Sequence, residues 1–144
     1  MEIRELTQNS FIKIGFLDAY KALVYHWLPA TIDMFEEEYQ QNMRLVLKHF
    51  TEENGEYVVV DTLQSQFAVG VEMQEWLQHN VIIPAIEKGL KKVLIITSNN
   101  TVTRISYEQV FEHEISRTFE TLYFQELTTA LDFVAHHYQQ IHKS

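Results

Sequence analysis

A chain of 144 residues with 46% hydrophobic and 12% aromatic side chains is long and apolar enough to bury one substantial core. It contains no cysteine, which removes disulfides, thiolate metal sites, iron–sulfur clusters and cysteine nucleophiles together. Its formal charge of −9 repels phosphate backbones and anionic headgroups, so nucleic acid and membrane surfaces are not expected partners.

The chain opens on Met1-Glu-Ile-Arg-Glu5, acidic where a secretory leader is basic, and no stretch reaches the ~18 apolar residues of a membrane span. No stable membrane insertion is expected, and the expected location is the cytoplasm. Its four glycines and two prolines do not cluster, so residues 1–144 read as a single domain. Residues around Ile3 to Leu6 form a candidate edge strand. Phe11–Phe16 alternates with Ile12, Ile14 and Phe16 on one face. Ala22–Leu28 places Leu23, Tyr25 and Trp27 together, with Ala22, Val24 and Leu28 opposite. The short Asp18–Lys21 connection predicts an antiparallel hairpin.

Pro29 stops the sheet. Thr31 is the predicted N-cap of a helix over Ile32–Phe50, with apolar residues at 32, 35, 39, 43, 46, 47 and 50. Asp33, Glu36, Glu37 and Glu38 crowd its start and Lys48 and His49 its end, an order that complements the helix dipole. Asn54-Gly55 ends it. The apolar run Tyr57–Asp61 predicts a central strand covered on both faces. A helical region follows from about Gly70, using Met73, Trp76, Leu77 and Val81. Pro84 bends or divides it, and Gly89 stops it. Val93–Thr97 is a second buried strand, predicted to lie parallel beside Tyr57–Asp61. Ser106–Gln109 matches a capping box, with Ile105 and Val110 as its hydrophobic staple, for a helix carrying Phe111 and Ile115 and ending near Thr118. Thr121–Phe124 is a last strand, and Glu126 to about Tyr138 a last helix with Leu127, Leu131 and Val134 on its apolar stripe. The order β-β-β-α-β-α-β-α-β-α predicts an α/β fold, a mixed β-sheet with helices packed against it.

Familiar catalytic signatures are missing. The glycines at 15, 55, 70 and 89 are too far apart for a phosphate loop, and there is no Gly-x-Ser-x-Gly elbow. Of seven histidines, His113 lies in Glu112-His-Glu114 without a second histidine four residues on, and His136, His137 and His142 crowd a polar chain end. No metal and no cofactor is expected. Asp61 closes a central strand, where ligands of open α/β sheets gather. The simpler expectation is that it accepts bonds from the loop backbone after it. Trp27 and Trp76 sit on apolar stripes and are expected in the core. Leu28-Pro29 is a candidate dimer contact.

Val58-Val-Val-Asp61, followed about eight residues on by a glycine-containing helix start, resembles the STAS domain of anti-sigma-factor antagonists. A nearer likeness is to the SpoIIAA-like proteins of the STAS/SEC14 superfamily. Their layout has a tryptophan-containing helix, a Gly-Lys-Lys turn into a strand, and a closing Phe-x-x-x-Glu-x-Ala helix. Here these are matched by Glu75-Trp76, by Gly89-Leu-Lys-Lys-Val93 and by Phe124–Val134. The resemblance implies a SpoIIAA/STAS-like fold and a bacterial regulatory module. It departs at the phosphorylated serine, whose place is held by Val69-Gly70-Val71. Ser65 lies in the same loop but not at that position.

Three functions follow from these readings. The preferred one is a non-catalytic regulatory or protein-interaction module. Its partner is another protein or a second copy of the chain, and its contact is the loop after Asp61, through Thr62, Gln64, Ser65 and Gln66. The alternative is a carrier of a small hydrophobic ligand such as a lipid, as the lipid-binding relatives suggest. The third is an enzyme using Asp61.

Overall fold

The computed structural model describes residues 1–97, 101–112 and 119–143. Strands β1 (Arg4–Gln8), β2 (Ile12–Leu17) and β3 (Ala22–Trp27) form an antiparallel meander. Helix α1 (Glu36–Glu52) leads into β4 (Tyr57–Asp61). Helices α2 (Val71–Leu77) and α3 (Ile83–Glu87), joined by a π turn over Gln78–Ile82, lead into β5 (Lys92–Ile96). Helix α4 (Thr101–Glu112), β6 (Glu120–Phe124) and α5 (Leu127–Ile141) complete the order. The strands form one six-stranded mixed sheet in chain order, antiparallel through β3 and parallel from β3 to β6. Tyr57–Asp61 and β5 are parallel neighbours, as the two apolar runs predict.

The layering follows from this order. A parallel sheet that grows in one direction, with one handedness of crossover, puts every crossover helix on the same face. Accordingly Tyr39, Met43, Val46 and Phe50 of α1, Met73 and Leu77 of α2, Ala85 of α3 and Val110 of α4 share one core with Ile12, Ile14, Phe16, Leu23, Tyr25 and Trp27. The opposite face is left to α5, whose Ala130, Leu131 and Val134 pack on Leu17, Ala22, Val24, Tyr57, Val59, Leu94 and Ile96. Strands buried on both sides must be apolar throughout, which is why Val59, Val60, Leu94, Ile95 and Ile96 are all 0–1% exposed.

Two helix starts differ from the sequence reading. The segment Pro29–Asp33 closes into a 3₁₀ turn, in which Thr31 Oγ1–H donates to Leu28 O at 2.8 Å. Thr31 is therefore used inside the turn and caps no helix. Helix α1 begins only at Glu36, where the Glu38 carboxylate accepts the Phe35 N–H at 3.0 Å. Ile32 and Phe35, assigned above to the apolar stripe, are 69% and 76% exposed.

Ser106 also departs from its expected place at a helix start. Helix α4 starts at Thr101, so Ser106 lies in its middle, buried at 5% exposure, and neither the capping box nor the Ile105–Val110 staple forms. Inside a helix the N–H of residue 109 belongs to the carbonyl four residues back, which removes the donor that a cap would satisfy. Ile105 is 44% exposed and Val110 is in the core. Ile115, His113 and the expected end near Thr118 lie outside the described residues. Pro84 divides its helical region as expected. The π turn widens the backbone just ahead of it, and Ile83 N–H reaches Gln78 O.

Candidate functional site

Three connections leave the carboxyl ends of the parallel strands on the crossover side: the 3₁₀ turn after β3, the 62–70 loop after β4, and the start of α4 after β5. They are tied together. Gln66 N–H donates to Thr31 Oγ1 at 2.9 Å, and Gln74 Nε2–H donates to Val69 O at 3.0 Å and to Gln109 Oε1 at 3.2 Å. Phe67 stacks on Tyr39 at 4.9 Å between ring centroids, and Tyr39 on Trp27 at 5.6 Å. The loop is thus pinned to the core at Phe67, with Trp27 fully buried beneath it.

The loop residues separate by direction. Thr62 is 1% exposed and Thr62 Oγ1–H donates to Ile96 O at 2.5 Å, holding β4 to β5 where the sheet ends. Ser65 is also 1% exposed, and its hydroxyl has no hydrogen-bond partner among the described residues. Only Gln64 and Gln66 of the sequence-selected residues beyond Asp61 face solvent. Asp61 accepts the Leu63 N–H at 3.0 Å, the loop-backbone role its position suggested. Its other oxygen lies 3.0 Å from His26 Nδ1 on the neighbouring strand. An ionised carboxylate can only accept, so this ring nitrogen carries the proton. Burial pushes the Asp61 carboxyl up, but the bonds from His26 and Leu63 outweigh it and hold the group below its ordinary value. The pairing partner was out of reach of sequence reading. Seven histidines offer seven partners, and only the β3–β4 register, His26 opposite Asp61, selects one.

Large apolar side chains emerge from the same three connections. Ile32 and Phe35 follow β3, Val71 follows the loop after β4, and Val102 and Ile105 are on α4, with exposures of 69%, 76%, 75%, 64% and 44%. Ala68, Val69, Gly70, Val102 and Ile105 border an apolar recess of about 310 Å³. Acidic groups stand beside the exposed apolar ones: Asp33, Glu36 and Glu37 flank Ile32 and Phe35, and Glu72 follows Val71, all solvent-facing. Trp76 is half-buried with the Arg44 guanidinium 5.0 Å above its ring. Leu28 is half-buried and Pro29 exposed.

Between the sheet and α1, α2 and α3 lies an interior apolar cavity of about 50 Å³, lined by Tyr25, Tyr39, Met43, Phe50 and Leu77 among others. Burial pushes the phenols of Tyr25 and Tyr39 up, and Tyr39 Oη has no hydrogen-bond partner among the described residues. Among the described residues no three histidines, aspartates or glutamates gather as a metal site, and no helix is long and apolar enough to cross a membrane. No protein-family model, curated protein or solved structure matches the chain.

Proposed function

We propose that the chain is a non-catalytic, STAS-like protein-interaction module that docks another protein at the carboxyl end of its parallel strands. The observation that carries this reading is the set of Ile32, Phe35, Val71, Val102 and Ile105, all exposed and all issuing from that end. Folded proteins seldom leave such side chains grouped in water without a use for them. The acidic neighbours Asp33, Glu36, Glu37 and Glu72 favour a partner with an apolar centre and a basic rim. They disfavour a second copy, which would bring the same charges. The SpoIIAA-like resemblance supports the same reading. Its Trp76 falls on α2, its Gly89, at φ 105°, ends α3 before β5, and its Phe124–Val134 stretch runs from β6 into α5. The carrier alternative has less behind it, because the interior cavity among the core aromatics, at about 50 Å³, is far below the ~300–1,000 Å³ of ordinary ligand pockets, and the recess of about 310 Å³ has no aromatic lining.

The test compares wild type with Phe35→Ser/Val71→Ser in affinity capture from the source cells, beside sizing of each purified protein. The same partner recovered by both would remove this end as the contact. Loss from the double variant alone, with its melting curve preserved and wild-type capture weakened by salt, is the expected result.

A further inference from the structure

The other face of the sheet carries a second feature, separate from the docking end. Helix α5 crosses this face obliquely. It starts just after the carboxyl end of β6 and is fastened near the amino ends of β3 and β4, through Tyr138 on Tyr20 and through the 2.6 Å bond between Tyr57 Oη and His137 Nδ1. One corner stays uncovered, where the carboxyl end of β3 meets β2 and β1. A cavity of about 180 Å³ opens there, lined by Ile3, Glu5, Lys13, Gly15, Val24 and His26.

Lys13, His26 and Asp61 are successive register partners across β2, β3 and β4, so their side chains share this face in one row. Asp61 fixes the His26 ring by its Nδ1–H, which leaves Nε2 for the cavity that the ring lines. Glu5 pairs with Gly15 in the β1–β2 register and lines the same cavity. Neither Glu5 nor Lys13 is in an ion pair among the described residues. Gly15 keeps the floor low: a Cβ there would stand 2.6 Å from Ile3 Cγ2 and 3.1 Å from Arg4 O.

We infer that this corner binds a small zwitterion of the α-amino-acid class, its carboxylate on Lys13 and its ammonium between Glu5 and His26 Nε2, whose lone pair accepts. One cation, Lys13, and two acceptors, Glu5 and His26 Nε2, line one small space, which matches a molecule carrying both charges. The whole-chain charge of −9 repels a simple anion but exerts no net force on a zwitterion. At ~30 Å³ per water the cavity holds about six waters, room for a small amino acid and not for a peptide.

The experiment follows the His26 ring resonances by NMR while glycine, alanine, serine and glutamate are each added at millimolar concentration, beside acetate and methylamine. Saturable shifts with at least one amino acid and none with acetate or methylamine are expected. Lys13→Gln and Glu5→Gln should each weaken binding at least about tenfold. Both residues are surface-exposed, so a melting curve confirms that each variant folds. Equal response to acetate would make the corner an anion site and overturn the inference. So would affinity unchanged in both variants, or no shift with any of the four amino acids.

Discussion

Anchoring of the 62–70 loop can be tested through one ring. Phe67 is half-buried and stacks on Tyr39, which stacks on Trp27, with interplanar angles of 14° and 18°. A fully buried phenylalanine removes about 150–250 Å² from water, so half that area at ~25 cal/mol per Å² is worth about 2.5 kcal/mol. The stacked pair adds about 1 kcal/mol, and freedom regained by a loosened loop returns a similar amount. Phe67→Ala should therefore cost about 2.5 kcal/mol. Phe67→Leu, which keeps most of the apolar area and loses the ring pair, should cost about 1 kcal/mol. With a urea m-value near 2 kcal/mol/M the midpoints fall by about 1.2 M and about 0.5 M. Urea unfolding followed by Trp27 fluorescence, in a Trp76→Phe background, measures both. If Phe67→Ala stays within about 0.5 kcal/mol of its background, the stack does not hold the loop, and the placement of the docking end loses its physical basis.

Thr31→Val removes the hydroxyl that both donates to Leu28 O and accepts the Gln66 N–H, at a site 1% exposed, and should cost about 1–3 kcal/mol in the same assay. A change below about 0.5 kcal/mol would mean that water replaces both bonds. Gly15→Ala puts a methyl against Ile3 and the Arg4 carbonyl and should destabilise by about 1–3 kcal/mol, with faster amide exchange in β1 as its local sign. Unchanged β1 exchange would show that the edge strand simply shifts. Stability should also fall with acid in two steps. The folded-state pKa of His137 is lowered, by burial and then by Lys92, so its contribution is present above its unfolded value near 6.5 and lost as pH falls through the folded value. Asp61, also lowered, contributes above its unfolded value near 3.9 and loses this as pH falls further. Denaturation midpoints across pH should show the lower step shrink in Asp61→Asn, and superimposable profiles below pH ~4 would refute its role.

What the sequence determined by itself is whatever repeats locally. Alternation in Ile12–Phe16 and Ala22–Trp27 sorts side chains onto two faces, and those faces are the two cores found. The unbroken runs at Tyr57–Asp61 and Val93–Ile96 mark strands covered on both sides, so their central parallel placement was legible too. Helix starts were not, because Ser106-x-x-Gln109 and Thr31 look alike at a helix start, in mid-helix and in a 3₁₀ turn. The choice depends on where the preceding strand releases the chain. Ile32 and Phe35 fit a helical stripe by spacing, yet α1 begins after them and leaves them in water. The site depended most on tertiary structure. His26 and Asp61 are 35 residues apart and meet at 3.0 Å, because strand register brings together residues that no local pattern relates. The inward turn of Thr62 and Ser65, the oblique path of α5 and the corner it leaves open arise from packing across the sheet. Periodicity can say which face a residue occupies, while only the assembled sheet says what stands opposite it.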